Sequence, residues 1–208
     1  MNHKVVEYLG LPASGKTWQL SNAGYCGVCN AIPHSVPLGG GKYKFYNTIK
    51  GVLHNPKLFF LLCKLGWKIF REERPRFLLR PFLVIFERYG RMLKLKNRTG
   101  HAETHMDEGV FQFLWRVFSE LSKTSENLCL LEKCITLLKP REHHLVYVSC
   151  PKDKHIKQVT ERKKISSNFD ASIVKGDKET YLFGRFWMAQ VLKNARNKSF
   201  EISFVWNK

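Results

Sequence analysis

The sequence predicts an α/β domain: a parallel sheet of five strands with helices packed against both faces. Two observations carry this. Short apolar runs of strand length alternate along the chain with amphipathic segments of helical period, which is the order that feeds parallel strands through helical crossovers. The first run, Lys4 to Leu9, also leads directly into Gly10-Leu11-Pro12-Ala13-Ser14-Gly15-Lys16-Thr17, a complete G-x-x-x-x-G-K-[ST] phosphate-binding loop. At 208 residues and 44% hydrophobic content the chain has enough apolar surface for one substantial core.

The loop dictates the chemistry nearest the N-terminus. Closely spaced backbone N–H groups form a concave anion site, the helix that follows aims its positive end at the phosphates, and Lys16 adds a full charge near the β- and γ-phosphates. The Thr17 hydroxyl suits Mg²⁺. Trp18 to Tyr25 reads as the helix opened by the loop, and Cys26 to Ile32 as a second strand. Pro33 to Gly41, with two prolines and three consecutive glycines, reads as a connection.

From Lys42 to Arg98 the pattern is helical, in pieces punctuated by Asn55-Pro56, Arg74-Pro75 and Arg80-Pro81. Fifteen Lys/Arg face only Glu72, Glu73 and Glu87 in this stretch, and aromatics are interleaved with them. Three readings stand for this insertion (38–100): an amphipathic element with a solvated basic side, a substrate-binding cap, or a surface for an acidic partner.

His101 to Met106 reads as a short strand ending in Asp107-Glu108-Gly109. Helical patterns follow over Val110 to Ser122 and Glu126 to Leu138, and His144 to Ser149 is a buried strand closed by Cys150-Pro151. Asp153 to Lys164 reads as a helix, Ile165 to Asp177 as a polar loop, Glu179 to Asn194 as a last helix and Phe200 to Trp206 as the last strand. A nucleotide site needs an acid to hold Mg²⁺ opposite the loop hydroxyl, and Asp107 at a strand end is the candidate. Glu108 would orient or deprotonate an attacking hydroxyl; the other reading of this pair is an acidic turn. Arg162, at a helix end before a polar loop, reads either as a lid cation that stabilises a transferring phosphoryl group or as a cation favoured there by the helix dipole.

The formal charge of +18 implies anionic partners: nucleotide, phosphorylated substrate, nucleic acid or an acidic membrane surface. Nucleotide and a small acceptor, a sugar or nucleoside or an anionic derivative of either, are the favoured pair. Six cysteines fall below the density of a disulfide scaffold, and Cys26-Gly-Val-Cys29 has no second pair to complete a tetrahedral metal site. Charges break every apolar run before membrane-spanning length, and the N-terminus lacks a signal-peptide pattern, so the expected setting is the reducing cytoplasm.

This ordered set resembles the P-loop kinases of small metabolites, the nucleoside, nucleotide and gluconate or shikimate kinase-like group. The resemblance spans most of the chain and is specific only at Gly10 to Thr17. It implies a three-layer P-loop NTPase fold over 1–208, with a five-stranded sheet ordered 2-3-1-4-5, a lid over 162–178 and an acceptor site built by the helices after the second strand. It also implies ATP or GTP with Mg²⁺ as cofactors. Gly10, Pro12, Ala13, Ser14, Gly15, Lys16 and Thr17 would cradle the phosphates, Thr17 and Asp107 hold the metal, and Lys16, Asp107, Glu108 and Arg162 serve catalysis. The Asp-Gly-Phe-Pro-Arg pattern of adenylate kinases, the Asp-Arg-Tyr of thymidylate kinases and the Glu-Arg-Ser of deoxynucleoside kinases do not occur. The competing expectations are a hydrolytic or regulatory NTPase, with Asp107-Glu108 positioning water, and a nucleic-acid binder whose affinity falls steeply with salt.

Overall fold

The computed structural model describes residues 4–12, 14–16, 18–19, 41–72, 84–90, 103–106, 109–140, 143–161 and 168–207. Its centre is a four-stranded sheet of β1 (Lys4–Leu9), β2 (Glu103–Met106), β3 (His143–Ser149) and β4 (Glu201–Trp206), in spatial order β2-β1-β3-β4 with every pair parallel. The strand expected at Cys26 to Ile32 lies outside the described residues.

Among the described residues, helices beyond the phosphate-loop segment include α1 (Gly41–His54), α2 (Pro56–Glu72), α3 (84–90), α4 (Val110–Phe118), α5 (Ser125–Thr136), α6 (Lys152–Thr160), α7 (Asn168–Val174) and α8 (Lys178–Asn197). Alternation decides which side chain meets which layer. Val5, Leu9 and Leu145 point to one face, where they join Phe111, Leu114, Phe118, Trp187 and Val191 in the main core. Val6, Tyr8, Val146 and Val148 form a smaller apolar layer on the other.

Local chemistry sets the element ends. The Thr124 side chain caps α5 by accepting the Asn127 N–H, and Asp177 caps α8 by accepting the Thr180 N–H. Asn55 breaks the helical run between α1 and α2, accepts the Leu58 N–H, and donates from Nδ2 to the Leu137 carbonyl at 2.8 Å. That bond anchors the α1–α2 junction to the end of α5, and Leu58, Leu62 and Leu65 carry α2 into the main core.

One stretch differs from its sequence expectation. The polar loop expected over Ile165 to Asp177 contains α7 at Asn168–Val174. Phe169 and Ile173, four apart, are buried, and Phe169 packs edge-on against Trp115 at 5.7 Å between ring centroids. Two buried residues four apart are too short a pattern to announce a helix, and tertiary burial supplies what the pattern lacks.

Candidate functional site

β1 delivers the chain to the loop at the C-terminal edge of the sheet, and the loop turns tightly there. The Ser14 N–H donates to the Leu11 carbonyl at 3.1 Å, and the Gln19 N–H to the Gly15 carbonyl at 2.9 Å, opening a helix that includes Lys16, Trp18 and Gln19. Gly15 has φ +91°, a left-handed conformation that suits glycine. Gly10 is needed for room: a Cβ there would lie 2.5 Å from the Val148 carbonyl oxygen.

Lys16 is only 7% exposed, and its ammonium donates to the carbonyls of Gly10 and Leu11, each at 3.1 Å. The cation therefore sits within the turn. Ser14 Oγ is buried with no hydrogen-bond partner among the described residues. A cation, a free hydroxyl and a tight backbone turn at the start of a helix are a donor set that fits phosphate oxygens.

Several residues that sequence reasoning missed hold this loop. Asn207, just past β4, donates from Nδ2 to the Ser14 carbonyl at 3.0 Å, accepts from Lys154 Nζ at 3.2 Å, and its backbone N–H donates to the Ser149 carbonyl at 2.7 Å. His155, buried on α6 against Phe169 and Tyr181, donates from Nε2 to the Pro12 carbonyl. On the other flank the Gly10 N–H donates to Gln112 Oε1 at 3.1 Å. The Gln112 N–H in turn donates to Glu7 Oε1 at 2.8 Å.

Glu7 is fully buried at the N-terminus of α4, and burial pushes its carboxyl up to about 8 despite the opposing N–H groups of residues 109–112. The signal for it was present: one acid inside an apolar strand immediately before the loop. Asn207 and His155 gave no such signal, because a polar residue at a strand end or on a helix is ordinary.

Several cations lie near Cys150 and Tyr181, beside the loop. Lys16 and Lys154 both lie close enough to Cys150 to oppose the upward effect of burial on its thiol. Lys152 and Arg185 each sit 5.9 Å from the Tyr181 ring centroid.

Of the expected site residues, the fold brings together Gly10, Pro12, Ser14, Gly15 and Lys16. Ala13, Thr17, Asp107, Glu108 and Arg162 lie outside the described residues. The neighbours of the acidic pair are described: Met106 pairs with Glu7 in the sheet, and Gly109 lies against the Glu7 carboxyl. Among the described residues, no cluster of three or more His, Cys, Asp or Glu has the placement of a metal site. No protein-family model, curated protein or solved structure matches the chain.

Proposed function

We propose that the chain is a kinase that uses ATP or GTP with Mg²⁺ to phosphorylate a hydroxyl of a small acceptor, such as a sugar, a nucleoside or an anionic derivative of either. One observation carries this reading. The Lys16 ammonium is held inside the Gly10–Lys16 turn by the loop's own carbonyls, at the C-terminal edge of a parallel sheet. Phosphate oxygens arriving there would replace the carbonyls as Lys16's partners, with the charge already in position.

The sheet order adds support. The β2-β1-β3-β4 arrangement is what an order of 2-3-1-4-5 becomes when its second strand is left aside. In this reading the acceptor oxygen bonds to the γ-phosphorus, the bond to the β–γ bridging oxygen breaks, and the nucleoside diphosphate leaves. Glu108 would take the acceptor proton, Thr17 and Asp107 would hold the metal, which would neutralise phosphate charge, and Arg162 would neutralise the transferring group. The cations Lys152, Lys154 and Arg185 near Tyr181 and Cys150 suit an acceptor that is itself anionic.

The test is labelled ATP with Mg²⁺ against nucleosides, sugars and phosphorylated sugars. Transfer to one class is expected, with little hydrolysis when no acceptor is present. Lys16→Ala should lower kcat/KM by about a hundredfold or more. Free-running hydrolysis that no acceptor alters, and that Glu108→Gln abolishes, would replace this reading with a hydrolytic NTPase. Undiminished activity in Lys16→Ala would remove the loop from the mechanism.

A further inference from the structure

We infer that the outward faces of α1 and α2 form a docking surface for an anionic membrane, on which the protein lies without crossing it. Both helices turn large apolar side chains away from the core. On α1, Phe45, Tyr46, Ile49 and Leu53 are 67%, 59%, 42% and 74% exposed. On α2, Phe60 and Trp67 are 70% and 63% exposed.

The helical period gathers these side chains into one outward stripe on each helix. Residues 60 and 67 are two turns apart on one stripe of α2, opposite the buried Leu58, Leu62 and Leu65. Residues 45, 49 and 53 form a second stripe on α1, opposite the buried Asn47 and Gly51. Six such side chains on two consecutive helices exceed the scatter of single exposed apolar residues normal for a soluble surface.

Charge selects the occupant. No Asp or Glu occurs between Glu7 and Glu72, while lysines recur at 42, 44, 50, 57, 64 and 68. Lys57 and Lys64 are exposed beside the Phe60 and Trp67 stripe. An apolar stripe rich in aromatics and edged by lysines is the pattern of a helix that seats its rings at the headgroup boundary while its lysines meet anionic lipid. No described helix is long and apolar enough to cross a bilayer, so this face would lie in the interface plane.

The test is flotation of the full chain with vesicles of phosphatidylcholine alone, and of about three parts phosphatidylcholine to one part phosphatidylglycerol. Binding to the anionic vesicles, weakened by salt, is expected. Phe60→Ser with Trp67→Ser, and separately Lys57→Glu with Lys64→Glu, should each lower the partition coefficient by about tenfold or more at unchanged Tm. Bromine-labelled acyl chains should quench the native protein's emission more than that of Trp67→Phe, which still binds. Lys16→Ala should float as the native chain does, so failure here is separable from failure of the kinase reading. The proposal is overturned if anionic vesicles do not bind at low salt, or if the serine variant binds as well as the native chain. It is equally overturned if the same variant instead disperses a dimer of the chain, or abolishes binding to single-stranded DNA, with no vesicle binding in either case.

Discussion

Glu7 is the least conventional residue in the molecule. A carboxyl at the N-terminus of α4 would ordinarily be favoured as an anion, yet burial outweighs the N–H groups facing it and holds it largely neutral near pH 7. Its folded-state value of about 8 lies above the ordinary 4.5, so the folded chain binds the extra proton between those two values. Stability from this group is therefore complete below about pH 4.5 and is lost as pH rises through 8, by an amount on the order of a few kcal/mol. Glu7→Gln keeps an acceptor for the Gln112 N–H and cannot ionise. Urea unfolding should show a smaller decline between pH 5 and pH 8 in this variant than in the native chain; parallel declines would mean that Glu7 does not titrate in this range. Gly15→Ala tests the loop directly. The substitution places a side chain at φ +91° and against the Asn207 amide, and should cost about 1–3 kcal/mol in unfolding experiments. At this scale the sequence revealed the loop because its glycines and Lys16 obey a fixed spacing. Asn207, His155 and Gln112 stayed hidden because their contacts with the loop span 102 to 193 residues of chain and follow no local period.

Among the elements, α1 and α3 meet backbone to backbone. A Cβ on Gly51 would run into the Phe86 carbonyl, and one on Gly90 into the Asn47 carbonyl, so the crossing depends on two glycines in different helices. Gly90→Ala should force the helices apart and cost about 1–3 kcal/mol, read as a lower urea midpoint. Thr124→Ala, which removes only the cap of α5, should cost about 1 kcal/mol; a Gly90→Ala protein as stable as the native chain would argue against the close crossing. The long elements were legible because their apolar periods are strong: α2, α5, β3 and α8 fall within a few residues of where the pattern places them. The short helix α7 was not, since Phe169 acquires meaning only from its packing on Trp115 and Gly184. Likewise the pairing of α1 with α3 follows from two isolated glycines, which in sequence weaken a helix rather than announce a contact.

For the molecule as a whole, parallel connectivity was readable because alternating strands and helices leave few ways to join a sheet. The net charge of +18 was readable too, but charge alone does not say where anions bind. Two effects should separate. Sodium chloride screens self-repulsion among like charges and should raise Tm in native and Lys16→Ala protein alike. Pyrophosphate at constant ionic strength carries two linked phosphates and should act through the loop, where the Lys16 ammonium and the buried Ser14 hydroxyl converge. At a hundred times its dissociation constant, such a ligand stabilises the folded state by about 2.7 kcal/mol, enough to move Tm by several degrees. The comparison rests on the shift within each protein, because Lys16→Ala also removes two internal hydrogen bonds and so starts from a different Tm. A pyrophosphate shift confined to the native chain ties anion binding to the turn. Equal shifts in both proteins would spread it over the basic surface, and the phosphate site would then have to be sought away from Lys16.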